Sequence, residues 1–139
     1  MTPAAVPHPF APVYDARSRV LILGSFPSPR SRAFGFYYGH PLNIFWDTLA
    51  RVLEREPPAA EIEARRAFLL ENRVALWDVL ASCEIRGASD ASIRAPIPNV
   101  FRPMLERSEI RAIFCNGRTA ADLFGKHCAE EAGRAAVYL

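Results

Sequence analysis

Arg30, Arg32, Tyr37, Tyr38, His40 and Asn43 fall within one short stretch of this chain, and their side chains together offer guanidinium, phenol, imidazole and carboxamide groups. The aromatic run Phe36-Tyr37-Tyr38 presents planar rings, which give any nucleobase an apolar face to stack on. A carboxamide both donates and accepts, so Asn43 can hold a water through its oxygen or read a base edge. Arginine forks suit phosphate oxygens, and Arg30 and Arg32 flank Ser31 in the same segment. Each group also has a plainer use. Asn43 can cap the helix that follows, the rings can pin the loop to the domain, His40 before Pro41 can be structural, and the arginines can be solvated surface charge.

Just before this stretch stands the turn Gly24-Ser25-Phe26-Pro27-Ser28. It lacks the second and third glycines of a dinucleotide fingerprint and the Gly-Lys-Ser/Thr of a phosphate-binding loop. It reads as a tight strand-to-helix turn in which Gly24 supplies backbone freedom. Asp78 follows Trp77 near the end of a second apolar run and reads as support for the loops rather than a general base. Asn116-Gly117 closes a third apolar run with a sharp turn, at the same edge of the sheet as the first loop.

The elements that must carry these residues follow from hydrophobic spacing. Val20 to Leu23 is apolar at every position, as in a parallel strand buried on both faces. A helix is expected from Asn43, with Phe45, Leu49, Val52 and Leu53 on one face, ending at Pro57-Pro58. A second helix covers about Ala60 to Glu71 and stops at Asn72. Val74 to Leu80 is the second strand, Ala81 to Asn99 a long loop able to contribute to a site, and Pro103 falls in the first turn of a helix starting near residues 99–102. Strand three is Arg111 to Cys115, a helix spans about Arg118 to Cys128, and Ala135 to Leu139 is a fourth strand. Residues 1–18 form an extended strap, because Pro3, Pro7, Pro9 and Pro12 exclude a helix; Phe10, Val13 and Tyr14 can dock it on the surface, and it carries no chemistry in this reading. The alternation predicts one α/β domain, a three-layer α/β/α sandwich around a parallel sheet of about four strands.

The chain has 139 residues, 50% of them hydrophobic and 23% charged, an ordinary globular balance and one core's worth of length. A net charge of +2 does not by itself mark a nucleic-acid binder. No run is long enough to cross a membrane and the start lacks the pattern of a signal peptide, so a soluble, cytoplasmic monomer is expected. Cys83, Cys115 and Cys128 are odd in number and form no CxxC or Cys/His cluster, so neither a disulfide framework nor a zinc site is expected. No cofactor is expected.

Taken together, Leu21-Ile22-Leu23-Gly24-Ser25-Phe26-Pro27-Ser28, Tyr37-Tyr38-Gly39-His40-Pro41-Leu42-Asn43-Ile44-Phe45-Trp46, Ala75-Leu76-Trp77-Asp78-Val79-Leu80 and Phe114-Cys115-Asn116-Gly117 resemble the uracil-DNA glycosylase superfamily, most closely its hypoxanthine-DNA glycosylase branch. The second of these runs is specific; the others are weaker alone. The resemblance implies a metal-free, monofunctional enzyme that flips a deaminated base out of DNA and hydrolyses its glycosidic bond. By that resemblance Asn43 is the catalytic residue, binding the base or positioning water. Tyr38 stacks on the base, Gly24, Ser25, Phe26 and Asn116 border it, Ser28, Arg30 and Arg32 meet the DNA backbone, and Tyr37, His40 and Asp78 support the site.

Two departures from the family pattern bear on this. Phe26 stands where mismatch-specific uracil glycosylases have a catalytic Asn, which leaves Asn43 as the main candidate. The superfamily's second motif, a Pro-Ser-rich loop that grips the DNA, is expected just after Val137-Tyr138-Leu139, and the given sequence stops before it. The missing motif makes a non-catalytic DNA- or nucleotide-binding module the first rival reading; the second is a small-molecule α/β enzyme of another class, which shares the sheet but not the aromatic run.

Overall fold

The computed structural model describes residues 5–87 and 89–139 of the chain. Its seven strands are β1 (Ala5–Pro7), β2 (Val20–Gly24), β3 (Val74–Asp78), β4 (Leu80–Glu84), β5 (Arg94–Pro98), β6 (Ala112–Cys115) and β7 (Val137–Tyr138). Its six helices are α1 (Pro29–Phe34), α2 (Phe45–Val52), α3 (Ile62–Glu71), α4 (Arg102–Glu106), α5 (Arg118–His127) and α6 (Ala129–Ala132). The central sheet is four-stranded, in the order β3-β2-β6-β7, with every neighbouring pair parallel.

The all-apolar β2 is explained by cover on both sides. Leu21 and Leu23 join a core with Ile113, Met104 of α4, Phe124 of α5 and Ala132 of α6, whereas Ile22 joins a second core with Trp46 and Leu49 of α2 and Phe68 and Leu69 of α3. Alternate residues of one strand thus feed opposite layers, which makes the domain the expected α/β/α sandwich. The register pairs Gly24 with Asp78, and the Asn116 N–H donates to the Leu23 carbonyl at 2.7 Å. Three strand ends therefore meet at one edge, the place where open α/β sheets bind ligands.

Four expectations need correction. The run Val74 to Leu80 is not one strand: it leaves the parallel sheet after Asp78, where the N–H groups of Val79 and Leu80 donate to the carbonyls of Gly24 and Ser25. The segment Ala81 to Asn99 is not a plain loop, because β4 runs between β1 and β5 in an antiparallel sheet, with residues 90–92 in a single 3-10 turn; Ala88 lies outside the described residues. Pro96 and Pro98 argued for a loop, yet β5 is an edge strand, which tolerates a residue without an N–H. The stretch before the aromatic run holds the short α1, started by Ser28, whose hydroxyl accepts from the Ser31 N–H at 3.2 Å, and by Pro29 in its first turn. On α2, Val52 is 74% exposed and Trp46 and Ala50 fill the apolar face instead.

The strap docks as an extended segment, though its first four residues, Pro3 included, lie outside the described ones. β1 pairs with β4, Val13 exchanges 2.9 Å hydrogen bonds with Leu76, and the Tyr37 hydroxyl donates to the Ala11 carbonyl at 2.9 Å. Cys83, Cys115 and Cys128 are buried free thiols. Among the described residues no helix is long and apolar enough to cross a membrane.

Candidate active site

A pocket of about 200 Å³ opens at the edge where the strand ends meet, lined by residues of the Gly24 to Ser28 turn together with Tyr38, Asn43, Asp78 and Asn116. Gly24 is there because nothing larger fits: a Cβ on it would lie 2.5 Å from Asp78 Oδ1 and 3.2 Å from the Tyr38 hydroxyl. The Asp78 carboxylate is thus pressed against bare backbone. Its other oxygen, Oδ2, receives His8 Nε2 at 2.8 Å, and its carbonyl accepts from Asn99 Nδ2 at 2.9 Å. The carbonyls of Gly24 and Ser25 are taken up by the N–H groups of Val79 and Leu80, while the N–H groups of Ser25 and Phe26, two pocket-lining residues, have no partner among the described residues.

The aromatic run divides by position. Phe36 and Tyr37 are 1% and 2% exposed and pack inward, so they pin the loop, with Tyr37 also forming part of the pocket wall, whereas Tyr38 is half-buried on the pocket. Tyr38 takes a left-handed backbone with φ +51°, rare for a side chain of its size, and its surroundings hold it there. Its hydroxyl accepts from Asn116 Nδ2 at 3.2 Å, its carbonyl accepts from Trp46 Nε1 at 3.2 Å, and its ring lies on Phe45. The neighbouring Gly39 leaves room for Phe34, whose ring would meet a Cβ at 2.6 Å, and its N–H donates to the buried Ser31 hydroxyl at 3.0 Å. Burial, and after it the charge of Asp78, pushes both phenols up, so Tyr37 and Tyr38 stay protonated at any working pH.

Asn43 is exposed at the mouth, where its Oδ1 accepts from the Phe45 N–H at 2.8 Å. The cap position itself is Ile44, so Asn43 stands one residue ahead of it, holding the first N–H of α2 while also lining the pocket. With the oxygen turned to the helix, the Nδ2 amine, unpartnered among the described residues, is the end left for a ligand. His40 shapes the turn that brings Asn43 in: its carbonyl accepts from the Asn43 N–H at 2.9 Å and its Nδ1 from the Leu42 N–H at 3.0 Å.

The remaining candidates are spread out. Ser28 lines the pocket with its hydroxyl engaged in starting α1; Arg30 is exposed on α1. Arg32 lies with its guanidinium 5.7 Å from the Phe26 ring centroid and one buried nitrogen, Nη1, without a partner among the described residues. His40, Arg30 and Arg32 are not pocket residues. The pocket also takes in Ser31, Tyr37 and Asp90, whose carboxylate accepts from the Ser25 hydroxyl at 3.1 Å. The sequence offered no signal for Asp90 beyond its place in a segment free to contribute, and none for His8, which is 70 positions from its partner Asp78.

Tyr38, Asn43 and Asn116 are shared with a second, larger cleft of about 630 Å³ whose walls are mostly apolar, among them Ile22, Phe45, Leu49 and Phe114. The polar pocket and this cleft adjoin at these three residues.

Residues 11–138 match the profile of the uracil DNA glycosylase superfamily. The chain is 30% identical over 114 residues to a hypoxanthine DNA glycosylase of Methanosarcina barkeri and 33% identical over 114 residues to one of Methanosarcina acetivorans, in each case 81% of this chain and 72% of the relative. Its structure superposes on the solution NMR structure of a candidate uracil DNA glycosylase from Methanosarcina acetivorans with a TM-score of 0.78 and 30% identity, covering 94% of this chain and 80% of that one. The chain belongs to the uracil DNA glycosylase superfamily. It is a DNA glycosylase, an enzyme that hydrolyses the N-glycosidic bond between base and sugar.

Proposed function

We propose that this glycosylase removes hypoxanthine from DNA, with uracil and xanthine as weaker substrates, acting as a cytoplasmic monomer on duplex or single-stranded substrate. The names of both Methanosarcina relatives support the choice of base. The observation that carries the site assignment is that Tyr38, Asn43, Asn116 and the Gly24 to Ser28 turn, which come from three separate stretches of chain, line a single pocket at the strand ends.

In this reading the target nucleotide leaves the stack and its base enters the pocket, since the glycosidic bond is out of reach inside a duplex. The base lies on the face of Tyr38 that Phe45 does not cover. The Nδ2 amine of Asn43 and the free N–H groups of Ser25 and Phe26 point donors at its carbonyl oxygen and ring nitrogens. As the bond lengthens, its electron pair goes to the base and the sugar becomes oxocarbenium-like; water then adds to the anomeric carbon and sheds a proton, and the base takes one up. No side chain is a nucleophile. Donors fixed in advance in a dry pocket act on the charge of the departing base, which is where such groups contribute most.

The test is release of free base under single-turnover conditions from a duplex holding one inosine, compared with uracil- and xanthine-containing duplexes. Release of hypoxanthine fastest of the three is expected. Retention of the duplex with no free base from any of them favours the rival reading of a non-catalytic binding module and overturns the proposal.

A further inference from the structure

The strap that holds no chemistry in the sequence touches two pocket residues, Asp78 and Phe26, through His8. The side chains of His8 and Asp78 are 6% and 5% exposed and meet at 2.8 Å, a close polar pair in an apolar surround. The histidine ring is itself fixed. Its Nδ1 lies 2.7 Å from the Phe10 carbonyl, and its ring packs edge-on against Phe10 and Phe26 at 4.8 and 5.9 Å between centroids. Phe26 is a pocket residue, so the imidazole sits directly behind the pocket wall. A carboxylate this enclosed is costly to keep unless partners orient it, and His8 Nε2 is the one side-chain partner it has among the described residues. Oδ2 goes to His8, which turns Oδ1 to the Gly24 backbone at the pocket.

We infer that His8 is a positioning residue that aims the Asp78 carboxylate at the sugar of the flipped nucleotide, so that the N-terminal strap is part of the active site. The inference rests on the reading that this pocket takes that nucleotide. The carboxylate then stabilises the positive charge that grows on the sugar as the base departs with the bonding pair, while Asn43 and the turn attend to the negative charge on the other side of the breaking bond. A fixed charge acts strongly there once the bound nucleotide has displaced water from the pocket. Nothing moves to His8, whose part is to stop the carboxylate rotating.

The experiment compares single-turnover excision rates of full-length His8→Ala, His8→Gln, Asp78→Asn and Val13→Ala on whichever deaminated base the wild-type protein releases fastest, with affinity for a duplex carrying a tetrahydrofuran abasic analogue measured in parallel. Asp78→Asn is expected to lower the rate about 100-fold or more, the scale of one preorganised electrostatic group, and His8→Ala about tenfold, the scale of losing an orienting partner. Affinity for the analogue duplex is expected to be unchanged. His8→Gln, which keeps a donor, is expected to restore most of the loss, and the His8→Ala, Asp78→Asn double variant to be no slower than Asp78→Asn. Val13→Ala, which loosens the strap elsewhere, lowers the melting temperature and leaves the rate alone. A His8→Ala rate equal to wild type overturns the inference. So does a Val13→Ala rate that falls as far as His8→Ala, or a His8→Gln no faster than His8→Ala. Failure of the hypoxanthine assignment is visible in the wild-type protein's choice of base, and failure of the His8 role only in the ratio of variant to wild type. A wild-type protein that releases none of the bases contradicts both.

Discussion

The ring of Tyr38 lies flat on that of Phe45, centroids 3.9 Å apart and planes 11° from parallel. One face of the phenol is thereby closed and the ring is backed by a second aromatic, so only the other face is open to a base. Tyr38→Ala is expected to lose the stack, about 1 to 3 kcal/mol in base capture, seen as a slower single-turnover rate. Tyr38→Phe keeps the ring and loses only the bond from Asn116, so it should stay within about tenfold of wild type. Equal loss in the two variants would show that the hydroxyl, and not the ring face, matters.

Gly24 has no room for a methyl group, because Asp78 Oδ1 lies 2.5 Å from the Cβ position. Gly24→Ala must push the carboxylate out of its bond with His8 or shift the turn. Excision is expected to drop about tenfold or more while far-ultraviolet circular dichroism stays native. A fully active Gly24→Ala protein would mean the close approach has no part in the chemistry.

The Tyr37 hydroxyl tethers the strap through its 2.9 Å bond to the Ala11 carbonyl. Tyr37→Phe removes one buried hydrogen bond and should cost about 1 kcal/mol in urea unfolding. An unchanged midpoint would place the strap's hold in its packing alone.

Burial pushes the thiols of Cys115 and Cys128 from 9.0 up to about 11, and the phenols of Tyr37 and Tyr38 upward as well. The unfolded chain then releases these protons before the folded one does, so the folded state binds more protons in that interval and stability falls as pH rises. Urea midpoints should be insensitive to these thiols below pH 9 and decline between pH 9 and about 11, by on the order of 2 kcal/mol per thiol. In a Cys115→Ala, Cys128→Ala protein the decline is expected to shrink, and what remains belongs to Cys83, whose thiol burial also pushes up, and to the phenols. A midpoint flat to pH 11 in the wild-type protein would contradict the burial of these groups.

What the sequence made legible is what periodicity encodes. The apolar β2, the stop of α3 at Asn72 and the turn after Cys115 fell where the pattern put them, and the tyrosine-rich run with Asn43 did arrive at a pocket. Helix contact and pocket membership at Asn43 read as alternatives because sequence cannot show one end of a carboxamide taken up by the helix while the residue still lines a pocket. The second sheet was missed because prolines at an edge strand look like prolines in a loop, and because the break after Asp78 depends on bonds to Gly24 and Ser25, 54 or more positions away in the chain. His8 was illegible for the same reason: its meaning lies wholly in a long-range contact.

The most direct test of the account is Asn43→Ala in single-turnover excision of hypoxanthine from an inosine-containing duplex. The carboxamide's free amine should supply roughly 2 to 4 kcal/mol of transition-state stabilisation. The expected result is a rate about 100- to 1,000-fold below wild type with the fold intact. A rate equal to that of the wild-type protein would contradict the central claim that this amide acts on the departing base.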